Sequence, residues 1–276
     1  TLHSPITHKI LMIRVILSIL LITSLYSQSE CDGFRYTDEI FSQVNVTSNV
    51  LYGGNYNPNI WGQNPWQDLY LDIYEPVGDD VEDRPLVFFL FGGSFVAGSK
   101  TNVDIVELCT RYAKMGYVAA AIDYRLTGDL IWSPNSETAY KATAKGMHDL
   151  KGAIRFFRMN DETLNDYRID SDRIYAGGVS AGGIIVVNAA YLDQESEIPA
   201  SLTDYIAENG GLEGNSGNDG YDSHFHGVIN LCGAVGDYNW IVAGDIPIVN
   251  IHGDEDTVVP YGDGLITLFN LNMQVY

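Results

Sequence analysis

Short apolar runs alternate with longer segments of helical periodicity along most of this chain. Residues 85–91 are a continuous apolar run, which is typical of a strand buried on both faces of a sheet, and residues 117–124 are predicted to be the next buried strand. Residues 102–115 lie between them with apolar positions at helical spacing, and Gly116 follows as a helix stop signal. Residues 137–158 carry a second helical stripe. The alternation predicts an α/β fold in which a mostly parallel central sheet has helices on both faces.

The same pattern extends on both sides of these segments. The remaining strand-like runs are residues 68–74, 174–179, 226–231 and 246–251. Residues 209–222 break the pattern, because they are dense in Gly, Asn, Asp and Ser, and they predict an exposed loop or a short lid. No internal repeat or linker divides the chain, so a single domain is predicted.

The N-terminal segment has the pattern of a signal peptide. Met12 and Arg14 precede an apolar stretch of about a dozen residues, which is too short to span a bilayer, and small polar residues follow it. Residues 1–11 precede Met12 and are interpreted as translated upstream sequence. We therefore divide the chain into residues 1–29, upstream residues and signal peptide, and residues 30–276, the folded domain. The expected location is secreted or periplasmic, without stable membrane insertion after cleavage.

The net charge narrows the classes of binding partner, and the cysteine content indicates which disulfide or metal sites the chain can form. The formal net charge of −21 disfavours nucleic acid and anionic membrane surfaces, since both would repel the protein. In an oxidising compartment, three cysteines suggest one disulfide and one free thiol. Cys232 lies in an apolar run and is predicted to be a buried strand thiol. Cys31 and Cys109 are then the candidate pair, although Cys109 also fits as a packed helix residue. The cysteine spacing matches no metal site.

The candidate chemistry begins at Ser180, within the pattern Gly178-Val179-Ser180-Ala181-Gly182. A serine becomes a useful nucleophile when a sharp turn between a strand and a helix presents its hydroxyl to the substrate and the base. Crowding at such a turn requires small residues two positions on either side, and Gly178 and Gly182 satisfy this requirement. The helix that follows directs its first amides at the site. Ser180 is the predicted nucleophile.

A second glycine-containing segment, Phe91-Gly92-Gly93-Ser94-Phe95, follows the buried strand at residues 85–91. Glycines let a backbone loop approach a substrate carbonyl and direct amides at it. The amides of Gly93 and Ser94, together with that of Ala181, are predicted to form an oxyanion hole with three donors.

An acidic cluster follows the strand predicted at residues 246–251. A triad needs a carboxylate at the end of a late strand to orient its base. Asp254, Glu255 and Asp256 compete for this role. Asp256 is preferred because it lies past the tight turn at His252 and Gly253, where its side chain can point toward the strand ends. His252 precedes the acid and is interpreted as a structural turn residue.

These motifs together resemble the secreted carboxylesterases of the α/β-hydrolase fold, and most of all their type-B and hormone-sensitive-lipase-like groups. The resemblance rests on Ser180 with its neighbours and on residues 91–95, 119–126 and 252–260, and it covers residues 66–261. There are departures from the pattern. Phe91 stands where His or Tyr is usual, Ser94 replaces a third glycine, and Val179 stands where the lipase-like group often has an acid.

The resemblance implies the order serine, acid, histidine along the chain, yet no histidine follows Asp256. We therefore expect the catalytic histidine beyond Tyr276 and interpret the chain as incomplete at its C-terminus and inactive as such. The implied function is a carboxylic-ester hydrolase that acts on small-molecule esters through an acyl-enzyme, without a metal or cofactor. The alternatives are a serine peptidase of the same fold and a catalytically inactive binding module. The sequence leaves the oligomeric state open.

Overall fold

The computed structural model describes residues 33–58, 61–63, 65–267, 271 and 273–276. The predicted signal peptide and Cys31 lie outside this range. The main sheet has seven strands in the order β1-β2-β4-β3-β5-β6-β7. Strands β1 and β2 run antiparallel to their neighbours, and the other neighbouring pairs are parallel. The strands are β1 (Val44–Tyr56), β2 (Trp66–Pro76), β3 (Arg84–Leu90), β4 (Val118–Ile122), β5 (Ile169–Val179), β6 (Val228–Leu231) and β7 (Ile248–Ile251).

Five α-helices accompany this sheet in the described residues: α1 (Val103–Lys114), α2 (Asp129–Trp132), α3 (Ser136–Thr163), α4 (Ala181–Tyr191) and α5 (Thr203–Glu208). Helix α1 packs on β2, β3 and β4, whereas α3 and α4 pack against each other and on β5. Every residue of β3 and β4 is buried, as expected for strands covered on both faces. The predicted α/β-hydrolase fold is confirmed. None of the helices in the described part of the chain is long and apolar enough to cross a membrane.

Strand β1, a C-terminal hairpin and the short helices α2 and α5 were not predicted from the sequence. Strand β1 pairs with β2 through a register that shifts twice, and its burial is irregular. A separate hairpin, β8 (Gly264–Ile266) with β9 (Met273–Val275), follows the main sheet. The residue after β9, Tyr276, exchanges two backbone hydrogen bonds of 3.1 Å with Val235, beyond the end of β6. These contacts bring the hairpin to the edge of the sheet where the parallel strands end.

The prediction of an exposed loop or lid at residues 209–222 is wrong in one respect, because this segment is anchored in the interior. The Ser216 side chain is fully buried and donates to Asp149 on α3 over 2.7 Å. Asp149 also forms an ion pair of 2.8 Å with Arg125, which follows β4. His148, the neighbour of Asp149, is buried with its Nε2 atom 2.9 Å from the carbonyl of Gly211. Polar side chains thus hold the loop against α3.

Cys109 is buried on the inner face of α1 and is a free thiol. This agrees with the alternative in which it packs as a helix residue. Burial raises the pKa of its thiol well above the ordinary value. Cys232 is also free, and it lies one residue beyond β6, half-buried rather than inside the strand as predicted.

Candidate active site

The carboxyl ends of the central parallel strands are aligned at one edge of the sheet. Val179 on β5 pairs with Leu231 on β6, and Leu231 pairs with Ile251 on β7. The residues that directly follow β5, β6 and β7 are Ser180, Cys232 and His252, respectively. On the other side of β5, Leu90 on β3 pairs with Gly178, so the glycine loop begins beside the Ser180 turn. In open parallel sheets, this carboxyl edge is where ligand sites form.

Ser180 lies at the predicted sharp turn. Its backbone angles are φ 53° and ψ −116°, in a region that L-residues rarely adopt. Its amide donates to the Leu231 carbonyl over 2.8 Å, which holds the turn against β6. A Cβ atom at Gly178 would lie 2.2 Å from the Gly182 carbonyl carbon, and one at Gly182 would lie 2.2 Å from the Leu90 carbonyl oxygen. Both flanking glycines are therefore required by close backbone contacts.

The loop after β3 passes directly beside Ser180. A Cβ atom at Gly92 would lie 3.2 Å from the Cβ of Ser180. The next three residues, Gly93, Ser94 and Phe95, all have positive φ, at 132°, 56° and 63°. This left-handed run turns the backbone sharply, and the Gly93 carbonyl accepts from the amides of residues 96 and 97 at 3.1 Å each. The loop that is predicted to supply two oxyanion amides therefore lies against the Ser180 turn.

Ser180, Ser94 and Ala181 line one small cavity of about 30 Å³ at this edge. Its other walls are apolar side chains: Phe95, Leu130, Ile184, Val258, Val259, Ile266, Leu271 and Met273. The structure thus brings together the predicted nucleophile and two of the three residues predicted to hold an oxyanion. Gly93 does not line the cavity itself, but it directly precedes Ser94, which does. A larger polar cavity of about 350 Å³, beside Lys151 and Glu213, shares no lining residue with it.

Asp256 is the member of the acidic cluster that points inward. Its Oδ1 atom accepts hydrogen bonds from the amides of Val258 and Val259 at 2.8 and 3.0 Å. Both of these valines line the cavity of Ser180. Asp254 and Glu255 are exposed. The placement favours Asp256 over its neighbours, and its catalytic role stays a prediction.

His252 lies at the start of the turn that contains Asp256, and its ring reaches across to the end of that turn. Its Nε2 atom lies 2.8 Å from the Val259 carbonyl and 3.6 Å from the Asp256 carboxylate, and the side chain is 10% exposed. This agrees with its interpretation as a structural turn residue. His226 is at the opposite end of the sheet, where its Nδ1 accepts from Ile174. None of the four histidines in the described residues lines the cavity of Ser180.

Cys232 lies between Ser180 and Asp256 and was not among the predicted site residues. Its φ of 49° marks it as a strained turn residue at the end of β6. Burial raises the pKa of its thiol, a backbone hydrogen bond from Ser180 opposes that effect, and the Asp256 carboxylate adds to the increase. The thiol is therefore next to the Ser180 amide and within electrostatic range of the Asp256 carboxylate. No local signal in the sequence marked residue 232, because it reaches Ser180 only through the parallel pairing of β5 with β6.

No group of three or more His, Cys, Asp or Glu side chains in the described residues is arranged to hold a metal ion. The residues around Ser180 instead have the arrangement expected for nucleophilic chemistry. A hydroxyl at a strained turn faces a narrow apolar cavity, backbone amides adjoin it on two sides, and a carboxylate lies farther along the same sheet edge.

Comparisons with known proteins agree with this geometry. The BD-FAE family model matches residues 71–215, which is more than half of the chain. Neutral cholesterol ester hydrolase 1 of Mus musculus is 30% identical over 129 residues, covering 45% of this chain and 28% of that protein. The chain thus matches well under half of this curated relative. Thermogutta terrifontis esterase 2 is a structural neighbour in its apo form, with 24% identity, a TM-score of 0.54, and coverage of 82% of this chain and 77% of that one. Its butyrate-bound form gives 23% identity and a TM-score of 0.52, covering 82% of this chain and 78% of that one.

Proposed function

The chain belongs to the BD-FAE family, and from that premise we propose that it is a serine carboxylic-ester hydrolase that works through an acyl-enzyme. The observation that carries the proposal is the strained turn at Ser180, which faces the same cavity as Ser94 and Ala181. The names of two similar proteins, an esterase and a cholesterol ester hydrolase, point in the same direction. The proposed substrate is a small-molecule ester.

In the proposed reaction, the Ser180 hydroxyl attacks the ester carbonyl and loses its proton to a histidine base. The amides of Gly93, Ser94 and Ala181 stabilise the negative oxygen of the tetrahedral intermediate. Collapse of the intermediate releases the alcohol, which takes up the proton, and leaves an acyl group on Ser180. Water then attacks the acyl-enzyme by the same route and releases the acid. Asp256 is proposed to orient the base and stabilise its charged form.

The test compares hydrolysis of p-nitrophenyl acetate by the chain and by Ser180→Ala, with imidazole added to both as the base that the cavity lacks in the described residues. We expect the variant to lose nearly all enzyme-dependent hydrolysis, and a fluorophosphonate probe to label Ser180 only in the unchanged protein. Ser201→Ala is the matched control, because Ser201 is exposed and does not line the cavity of Ser180. Full hydrolysis by Ser180→Ala would overturn the proposed nucleophile. Cleavage of a peptidyl p-nitroanilide that depends on Ser180 would favour the peptidase alternative, because the amide bond is much less reactive than the ester.

One observation favours a second candidate function, a catalytically inactive binding module. None of the described histidines lines the cavity of Ser180, so the base of the proposed reaction has no assigned residue there. Added imidazole separates the two candidates. In an esterase that lacks only its base, imidazole accelerates hydrolysis in the unchanged protein beyond the solution rate measured with Ser180→Ala. In a binding module, the two proteins give the same rate at every imidazole concentration.

We also propose that the protein is exported. The support is the sequence of residues 12–29 alone, which lie outside the described residues. Expression of residues 12–276 with their own N-terminus, followed by N-terminal sequencing of the product in the medium or periplasm, tests this. A mature N-terminus near residue 30 is expected, and an uncleaved product retained in the cytoplasm contradicts it.

A further inference from the structure

We propose that Tyr124 is a positioning residue that holds the oxyanion loop, residues 91–95, in place for catalysis. The inference rests on the proposed function, in which Gly93 and Ser94 donate to the oxyanion. Tyr124 lies two residues beyond β4 and does not line the cavity of Ser180. It therefore acts through the loop rather than on the substrate.

The loop needs an external anchor because its own backbone is strained. Ser94 and Phe95 have φ of 56° and 63°, a conformation in which the Cβ atom of an L-residue is crowded. Two such residues in succession persist only when surrounding contacts hold them. Without those contacts, the backbone would relax toward ordinary angles, and the amides predicted to bind the oxyanion would rotate away.

Tyr124 provides such a contact at the point where the loop begins. Its hydroxyl donates to the Phe91 carbonyl over 2.9 Å in a fully buried setting. The two rings are stacked with centroids 4.3 Å apart and planes 16° apart. A Cβ atom at Gly182 would lie 2.7 Å from the same Phe91 carbonyl oxygen. The Phe91 carbonyl therefore lies between the Tyr124 hydroxyl and the first turn of α4. Its position links the loop that carries the Gly93 and Ser94 amides to the helix turn that carries the Ala181 amide.

The segment that carries Tyr124 makes two further contacts with this part of the chain. The amide of Thr127 donates to the carbonyl of Phe95, the last residue of the loop, over 2.9 Å. The Asp123 carboxylate accepts from the amide of Lys100, five residues beyond the loop, over 2.8 Å. Of these three contacts, the Tyr124 hydroxyl is the one that a single-atom change removes without altering the fold of the backbone.

The experiment compares Tyr124→Phe with Tyr191→Phe in the full chain, with imidazole added at one fixed concentration to act as the base. Tyr191 is the matched control, because its side chain is also buried, and its hydroxyl donates over 2.9 Å to the backbone carbonyl of Ile246 in a partly buried setting away from the cavity of Ser180. Both variants lose one hydrogen bond, so similar losses of thermal stability are expected. Only Tyr124→Phe should lower kcat for p-nitrophenyl acetate, on the order of tenfold, with KM nearly unchanged, because an oxyanion donor acts in the transition state.

A second measurement does not depend on activity. Hydrogen exchange of peptides that cover residues 91–98 should be faster in Tyr124→Phe and unchanged in Tyr191→Phe. Unchanged exchange in Tyr124→Phe, or a rise in KM with unaltered kcat, would overturn the positioning role. Hydrolysis that persists in Ser180→Ala would instead overturn the proposed function, and the exchange result would still decide whether Tyr124 holds the loop.

Discussion

Replacing Asp149 with asparagine removes the charge that neutralises Arg125 in the interior. Both side chains are at most 2% exposed and are joined by contacts of 2.8 Å. The carboxylate also accepts from the Arg125 amide at 2.8 Å and from the Ser216 hydroxyl at 2.7 Å. Asparagine keeps the shape of the side chain but offers one acceptor oxygen instead of two. The guanidinium then stays buried without a counter-charge.

The size of the effect follows from this burial. Removing one partner of a buried ion pair destabilises a protein by about 3–5 kcal/mol, because the remaining charge is not compensated. In a domain of this length, 1 kcal/mol corresponds to about 2–4 °C in Tm, so Asp149→Asn should lower Tm by roughly 10 °C. The Ser216 contact is weakened as well, so residues 209–222 should exchange amide hydrogens faster.

Urea unfolding followed by tryptophan fluorescence measures the change in the free energy of unfolding, and hydrogen exchange reports on residues 209–222. Glu137→Gln is the matched control, because Glu137 forms an exposed pair with Lys141 at 2.6 Å on the same helix. Exposed pairs of this kind contribute less than about 1 kcal/mol. If Asp149→Asn costs no more than Glu137→Gln, the buried pair does not hold α3, β4 and the loop together.

Three further predictions concern the sheet edge and the interior. In an active enzyme, Asp256→Asn should lower kcat by orders of magnitude while Asp254→Asn stays near normal, and the reverse result in steady-state kinetics would reassign the acid. In a Cys31→Ser background, alkylation of Cys232 by iodoacetamide should be slow at pH 7 and accelerate with rising pH beyond pH 9, because burial raises the pKa of the thiol; mass spectrometry that shows rapid labelling at pH 7 would contradict this. Burial lowers the pKa of His148 to about 4, so the folded state favours the neutral ring. The unfolded state then binds more protons between about pH 6.5 and 4, and the stability from this residue, about 3 kcal/mol, is present above pH 6.5 and is lost as the pH falls to 4. Urea unfolding across this range should show a weaker pH dependence for His148→Gln, and an identical dependence would exclude this contribution.

The chain's local pattern determined the central elements and the nucleophile turn. Strands β3 and β4 are buried at every position, so their apolar runs leave little ambiguity. The turn at Ser180 was predictable because its requirement is local: Gly178 and Gly182 face backbone atoms at distances that no side chain tolerates. Position after a strand limits which side chains reach the sheet edge, so the sequence narrowed the candidate acid to three neighbouring residues, and its role stays a prediction.

Other features were decided by the tertiary structure. Strand β1 exists because β2 offers a pairing edge, and its polar residues and shifted register give no regular period. Residues 209–222 have the composition of a free loop, yet Ser216 is buried and donates a hydrogen bond to Asp149, which lies 67 residues earlier in the chain. Cys232 lies beside Ser180 only through the alignment of β5 and β6, and Tyr124 reaches Phe91 across 33 residues. Periodicity records which residues avoid water, whereas the partner of each polar group depends on distant segments that meet only when the chain folds.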